Sequence, residues 1–306
     1  MLINSIIKCI RPRQWTKNLI LFAGLLFSEK RLLLQPAAWL WAVAGFVVFC
    51  LLSGSVYLLN DIVDVERDRK HPEKCHRPIA AGQVSIPQAR FAAVILLIVA
   101  LGGSFALSNL FAASAVAYFL VNLAYSFRLK HVVLLDVLCI SVGFVLRAQA
   151  GVGALRIIEP SIYISHWLLL CTLMLALFLA LAKRRQEIRL LNTEAGRHRT
   201  SLAEYTPEFI DQMIAIVSST TVVCYALYTV SAETVLKFGT DGLVLTVPVV
   251  LYGIFRYLYL IHLRELGDNP SELVLADRPL QLAVLLWIIA VAVIIHSHGL
   301  ISISGH

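Results

Sequence analysis

Three carboxylates stand close together in the pattern Asn-Asp-x-x-Asp-x-x-x-Asp, which begins at Asn60. On a helix, at about 100° per residue, Asp61, Asp64 and Asp68 fall within about 60° of one another. Like charges on one stripe repel each other, so this arrangement is costly without a cation. Carboxylate and amide oxygens are hard ligands of the kind that Mg²⁺ takes, together with substrate phosphates. The pattern predicts a Mg²⁺ site formed by Asn60, Asp61, Asp64 and Asp68, with the three aspartates acting in catalysis.

Basic residues accompany this acidic stretch. Arg67 and Lys70 lie within it or beside it, so a solvated helix end whose charges are partly neutralised is the alternative interpretation. Lys74 and Arg77 follow directly, and an arginine fixed beside a metal can bind a diphosphate through two parallel hydrogen bonds. We therefore favour a diphosphate site over a simple solvated helix end.

A second polar stretch reads Lys-Arg-Arg-Gln-Glu from Lys183 onward. On a helix, Lys183, Glu187 and Glu194 share one face, and Arg184 lies next to it. Cations at this position could hold a further phosphate group. The alternative is an anchor of basic residues at the cytoplasmic membrane surface, where lysine and arginine accumulate.

The composition decides the class of protein that carries these motifs. Of 306 residues, 59% are apolar and only 15% are charged, against about 25% in a typical soluble domain. The mean hydropathy is +0.79. A soluble enzyme, a disordered chain and a disulfide scaffold are thereby excluded, and the six cysteines form no CxxC pair. The chain is predicted to be an all-α, polytopic membrane protein with a single domain over residues 1–306.

Nine apolar runs are long enough to be membrane helices, and no run alternates with the period of a barrel strand. The two polar stretches that begin at Asn60 and Lys183 follow the second and the sixth run, so they lie on the same side of the membrane. The predicted helices cover residues 16–34, 38–61, 87–107, 109–127, 132–153, 163–183, 208–231, 240–260 and 279–299.

The distribution of lysine and arginine predicts the orientation in the membrane. With the amino terminus inside, the inner side holds 21 of these residues, and the outer side holds only Lys30, Arg31, Arg156 and Lys237. The net charge of +7 is thus explained by membrane topology rather than by nucleic-acid binding. Arg147 falls inside the fifth helix, where an unpaired arginine raises the free energy of the folded protein by several kcal/mol. The alternative to a role in the site is that its side chain extends to the outer surface. We expect a multi-pass protein of the cell membrane with a cytoplasmic amino terminus.

The first motif resembles a signature of the UbiA superfamily of intramembrane prenyltransferases. That signature combines NDxxDxxxD with a following RPIxxG, which here starts at Arg77. The segment from Tyr125 to Lys130 resembles the family's Y-S-x-x-L-K, and Tyr118 and Asn122 form one polar stripe with Tyr125. Over roughly residues 5–299, the resemblance implies nine helices, a pocket on the cytoplasmic side and a Mg²⁺-bound diphosphate.

The second motif departs from ordinary prenyltransferases, which carry DxxxD where this chain has Lys183 and Arg184. That exchange resembles a branch of the superfamily, the decaprenyl-phosphate phosphoribosyltransferases, as do Lys17-Asn18 and Leu146-Arg147-Ala148. The resemblance implies a set of residues that bind the substrates and their phosphates. They are Lys17, Tyr57, Lys74, Arg77, Tyr118, Asn122, Tyr125, Lys130, Arg147, Lys183, Arg184 and Glu187.

The resemblance therefore implies a Mg²⁺-dependent transferase. It would move 5-phosphoribose from phosphoribosyl diphosphate to a polyprenyl phosphate of the decaprenyl type and release diphosphate. One alternative is a prenyltransferase that moves an isoprenoid from its diphosphate to an aromatic acceptor, and the missing DxxxD argues against it. The other is a lipid-binding membrane protein or transporter without catalysis, and the intact aspartate stripe argues against that.

Overall fold

A computed structural model describes residues 2–28, 32–191, 204–263, 273–274 and 276–301. Lys30, Arg31 and Glu194 lie outside the described residues. Every regular element in the described part is helical. The α-helices are α1 (Leu2–Cys9), α2 (Ala23–Leu26), α3 (Pro36–Val63), α4 (Val65–Arg69), α5 (Ile86–Leu107), α6 (Asn109–Phe127), α7 (Leu135–Leu155), α8 (His166–Leu191), α9 (Pro207–Val230), α10 (Ala232–Phe238), α11 (Val247–Leu263) and α12 (Arg278–Ile301). Short 3₁₀ segments cover Pro12–Phe22, Leu32–Leu34, Lys74–His76, Leu129–His131 and Gly242–Thr246.

Eight helices within the described ranges are long and apolar enough to cross a membrane. They correspond to the second to ninth predicted helices. Most ends differ by no more than about three residues, but the sixth helix extends to Leu191, eight residues beyond its predicted end. The all-α membrane fold is confirmed. The first predicted helix, 16–34, instead contains a 3₁₀ segment up to Phe22 and the four-residue α2, so the count of nine continuous helices is only approximate.

Side-chain caps explain several of the helix starts. At α5 the Ser85 hydroxyl accepts from the Gln88 N–H, and the Gln88 side chain accepts from the Ser85 N–H, which completes a capping box. Ser108 caps α6 through the Phe111 N–H, and its hydroxyl also donates to the Gly153 carbonyl of α7. This double contact explains how α5 and α6 join without a linker.

Helix α7 packs against α3, α6, α8 and the first 3₁₀ segment. A Cβ atom on Gly151 would stand 2.0 Å from the Leu21 carbonyl oxygen, so only glycine allows the 3₁₀ segment to approach α7 this closely. The close approach has a consequence for the site. It places Lys17 and Asn18 beside the buried polar residues of α7.

Candidate active site

The aspartate stripe lies at a break between two helices. Helix α3 ends at Val63, α4 begins at Val65, and Asp64 occupies the junction. Asp61 is therefore in the last turn of α3, while Asp68 is in α4, and both are buried. The stripe expected on one continuous helix is thus divided, and the three aspartates do not share the same partners.

Arg77 brings two of the aspartates together. Its Nη1 lies 3.1 Å from Asp61 Oδ1 and 2.6 Å from Asp68 Oδ2. Arg11 also pairs with Asp61, and its guanidinium lies 5.1 Å from the centre of the Tyr57 ring. The turn after Lys74–His76 positions Arg77 for this bridge. The sequence motif predicts Arg77 beside the aspartates as a diphosphate ligand, and it does not predict the bridge.

Asp64 faces a different wall of the site. Its Oδ1 accepts from Lys130 Nζ at 2.5 Å, and the Lys130 side chain is almost entirely buried. Lys130 lies in the 3₁₀ segment Leu129–His131 directly after α6. Arg67 Nη1 lies 3.0 Å from His131 Nε2, which adds a second link between α4 and this segment.

One oxygen of the acidic stretch has no partner. Within the described residues, Asn60 Oδ1 is buried without a hydrogen bond. A buried amide oxygen in this condition is costly unless a ligand satisfies it. No group of three His, Cys, Asp or Glu side chains in the described part is close enough to hold a metal, because the aspartates face cations instead. The donor set itself, three carboxylates and one free amide oxygen, fits Mg²⁺ in chemical kind.

The basic residues of α8 line the same end of the bundle. Arg184 is only 2% exposed; its Nη1 pairs with Glu187, and its Nη2 lies 3.5 Å from the Tyr125 hydroxyl. Lys183 Nζ lies 4.0 Å from Glu187 Oε1. The structure therefore brings Tyr125 of α6 into contact with the second motif. The two sequence patterns predict each residue but do not predict this contact.

Arg147 is buried among polar partners and does not extend to the outer surface. Its Nε donates to Asn18 Oδ1 at 2.8 Å, its Nη2 to the Tyr118 hydroxyl at 2.8 Å, and its Nη1 to the Gly143 carbonyl at 3.0 Å. Three aromatic rings surround the guanidinium, with centroids between 4.6 and 5.8 Å away. The Asn122 side-chain amide donates to the Tyr118 carbonyl and stays within α6.

Lys17 stands next to Asn18 and lacks an acceptor. In the part of the chain that the structure describes, its ammonium makes no hydrogen bond or ion pair, and the positive charges of Lys183, Arg147 and Arg11 act on it. Arg11 and Lys17 lie at or in the first 3₁₀ segment, Arg147 in α7 and Lys183 in α8. Arg11 and Lys183 are each paired with a carboxylate. Lys17 pairs with none among the described residues, which suits a phosphate-bearing ligand beside it.

Sequence reasoning missed Arg11, Asp136 and Tyr205. Asp136 receives Arg184 Nε at 2.7 Å and the Tyr205 hydroxyl at 2.8 Å. Burial, with a contribution from the Asp136 carboxylate, raises the pKa of Tyr205 to about 12, so this phenol remains a donor at neutral pH. Asp136 could have been identified as an acidic residue at the start of an otherwise apolar run. No local sequence pattern indicates a role for Tyr205.

Comparison with known proteins shows the family to which the chain belongs. The model of the UbiA prenyltransferase family matches residues 19–276. A decaprenyl-phosphate phosphoribosyltransferase of Mycolicibacterium smegmatis is 36% identical over 94% of this chain and 91% of its own length. Proteins of the same name from Corynebacterium glutamicum and Mycobacterium tuberculosis are each 33% identical, over 96% and 95% of this chain and 88% and 94% of their own lengths.

Solved structures show the same fold. A UbiA homologue from Archaeoglobus fulgidus bound to GPP and Mg²⁺ superposes with a TM-score of 0.73 at 19% identity, covering 95% of this chain and 99% of its own. The same homologue has been solved with Cd²⁺, at a TM-score of 0.68. A digeranylgeranylglyceryl phosphate synthase gives 0.63 at 17% identity over 95% of this chain and 98% of its own. The described residues include eight helices long and apolar enough to cross a membrane, and the family model and the relatives match most of the chain. This chain is therefore a multi-pass membrane transferase of the UbiA prenyltransferase family.

Proposed function

We propose that the chain transfers 5-phosphoribose from phosphoribosyl diphosphate to a polyprenyl phosphate of the decaprenyl type. The observation that carries this proposal is the cationic second motif. Lys183 lies close enough to Lys17 to act on it electrostatically, and Arg184 lies beside Tyr125, where an ordinary prenyl donor needs no additional positive charge. Phosphoribosyl diphosphate carries a further phosphate that prenyl diphosphates lack. The names of three relatives at 33–36% identity support the same donor and acceptor.

The proposed reaction forms one bond and breaks one. An oxygen of the lipid phosphate attacks C1 of the ribose, and the bond between C1 and the diphosphate oxygen breaks with its electron pair leaving on diphosphate. The lipid phosphate is already ionised, so no protein nucleophile is required. Catalysis then rests on positioning and on charge stabilisation by fixed groups.

The Mg²⁺ ion proposed for this site would be held by Asn60, Asp61, Asp64 and Asp68, and it would neutralise charge on the leaving diphosphate. Arg77 and Lys130 pair with these carboxylates and compensate their negative charge. An anionic donor would compete for the same two cations, which would then bind its phosphate oxygens.

The other cations are proposed to bind the remaining phosphates. Lys17 and Lys183 act on each other electrostatically, so together they favour an anion between their elements. Arg147 holds Asn18 and thereby fixes the position of the neighbouring Lys17. Tyr57 lies beside Arg11, and Tyr125 lies beside Arg184. With Lys74 they complete the proposed substrate site, in which Glu187 orients Arg184 and Lys183.

The orientation in the membrane remains part of the proposal. The charge asymmetry of the sequence favours a cytoplasmic amino terminus, with the active site open to the cytoplasm, where a soluble donor can reach it. The polyprenyl tail would lie along the apolar helices, each buried methylene contributing about 0.8 kcal/mol.

A donor comparison tests the proposal. Membranes that contain the protein receive polyprenyl phosphate and either phosphoribosyl diphosphate or a prenyl diphosphate with an aromatic acceptor, each radiolabelled. We expect a labelled lipid only with phosphoribosyl diphosphate, and none from the Asp61→Asn variant. Efficient prenylation of the aromatic acceptor, with phosphoribosyl diphosphate ignored, would leave the family assignment intact and reject the proposed donor.

A further inference from the structure

Asp136 is completely buried at the start of α7, and both of its oxygens are used. Oδ2 accepts from Arg184 Nε at 2.7 Å, and Oδ1 accepts from the Tyr205 hydroxyl at 2.8 Å. A buried carboxylate is tolerated only when it is paired and hydrogen-bonded in this way. The pair joins α7 to α8 across 48 positions of sequence.

Tyr205 adds a third element to this connection. Its hydroxyl accepts from the Leu134 N–H at 2.8 Å while it donates to Asp136. Leu134 has a φ of 67°, a conformation that a leucine rarely adopts, and the bond to Tyr205 helps to hold it. Tyr205 lies two residues before α9, so the three elements α7, α8 and α9 meet at one carboxylate.

The contact with Asp136 determines where the rest of Arg184 points. A guanidinium is planar, so fixing its Nε edge fixes the plane and the direction of both Nη groups. These Nη groups meet Glu187 and lie 3.5 Å from the Tyr125 hydroxyl, two of the residues assigned to the substrate site.

The neighbouring arginine shows what a purely structural pair looks like. Arg185 binds both oxygens of Asp211 through Nε and Nη2, and its Nη1 donates to the Ile261 carbonyl at 3.0 Å. All three of its nitrogens serve contacts between α8, α9 and α11. Arg184 differs in that only its Nε serves the helix-joining contact with Asp136, while its two Nη groups contact Glu187 and Tyr125, which are assigned to the substrate site.

We infer that Asp136 and Tyr205 are positioning residues that hold the Arg184 guanidinium toward a phosphate of the donor. This inference rests on the proposed function, because it takes phosphoribosyl diphosphate as the ligand of Arg184. Neither residue touches the substrate. Asp136 acts through Arg184, and Tyr205 acts through Asp136.

A double-mutant cycle in the full-length protein tests the inference. We would measure KM for phosphoribosyl diphosphate and kcat in Asp136→Asn, Arg184→Gln, the double variant and the unmodified protein. Asp136→Asn is expected to raise KM about tenfold with a smaller effect on kcat, because it loosens a charge-assisted contact to a ligand-binding group. In the Arg184→Gln background the same change should alter KM by less than about twofold, since the residue through which it acts is already lost.

Two further variants separate positioning from folding. Tyr205→Phe removes one bond to Asp136 and should raise KM about threefold, which keeps the inference testable if Asp136→Asn fails to fold. Asp211→Asn breaks the adjacent structural pair and should lower the thermal midpoint while leaving KM for the donor unchanged.

Independent effects of Asp136→Asn and Arg184→Gln on KM would overturn the inference, as would an unchanged KM in both Asp136→Asn and Tyr205→Phe. Failure of the proposed function has a different signature. The unmodified protein would then ignore phosphoribosyl diphosphate and use a prenyl diphosphate, and the same cycle run with that donor would still show whether Asp136 acts through Arg184.

Discussion

Two buried tyrosines provide a matched test of the polar interior. The Tyr118 hydroxyl accepts from Arg147 Nη2 at 2.8 Å, whereas the Tyr257 hydroxyl, within the described residues, is buried without a partner. Both residues are at most 3% exposed, and both lie in candidate membrane spans. Replacing each by phenylalanine removes one oxygen and leaves the ring in place. The two changes therefore differ mainly in the hydrogen bond that is lost.

The structure sets the size of the expected difference. Hydrogen bonds between membrane helices average about 0.6 kcal/mol and reach about 1.7 kcal/mol. The donor to the Tyr118 hydroxyl is the charged Arg147, which no carboxylate neutralises among the described residues. We therefore place the energy of this hydrogen bond near the upper end of that range. Tyr118→Phe should lower the free energy of unfolding by about 1.5 kcal/mol. Tyr257→Phe should leave it unchanged or raise it slightly, because an unsatisfied buried hydroxyl is removed.

Reversible unfolding of the two variants in mixed micelles with increasing denaturing detergent measures both values. The unmodified protein gives the reference, and the far-UV circular dichroism of each folded variant checks that the helices are intact. Equal effects of the two substitutions, or a neutral Tyr118→Phe, would refute the assignment of Tyr118 as a partner of a buried, charged Arg147.

Three other predictions concern the site and the membrane topology. Asp61→Asn and Asp64→Asn should each abolish turnover, and a chelator should do the same until Mg²⁺ is restored; full activity of the double variant in detergent would exclude the metal role. Lys183→Ala should raise KM for phosphoribosyl diphosphate, and an unchanged KM would remove Lys183 from the donor site. A variant that keeps only Cys75 should react with an impermeant maleimide from the inner side of the membrane. A variant whose only cysteine is Lys237→Cys should react from the outer side. Labelling of both from the same side would contradict the topology.

Much of the fold followed from apolar run length alone. A run of about 20 apolar residues must be helical in a bilayer because its backbone polar groups have no other partners. The helix Asn109–Phe127 has the predicted bounds, and the Ser108 cap accounts for its start. The first segment departs from the rule: it is a 3₁₀ segment up to Phe22, and Gly151 allows this segment to lie close to α7.

The candidate site could be predicted only in part. Local spacing predicts the aspartates and Arg77 as one site, and the family resemblance adds Lys130; the structure brings Arg77 and Lys130 into contact with these aspartates. Spacing could not show that Asp64 would interrupt the helix or that Arg11 would pair with Asp61, 50 positions away. The bond between Asp136 and Arg184 depends on how α7 and α8 pack, and no pattern within either helix contains that information.

The central claim is the transfer of phosphoribose to a lipid phosphate, and the fate of two differently placed phosphorus labels tests it most directly. One sample of phosphoribosyl diphosphate carries radioactive phosphorus in the 5-phosphate, and another carries it in the terminal phosphate of the diphosphate. With polyprenyl phosphate and Mg²⁺, the proposed reaction moves the first label into the organic phase with the lipid and releases the second as water-soluble diphosphate. Recovery of the terminal label in the lipid, or of neither label, would contradict the proposed reaction.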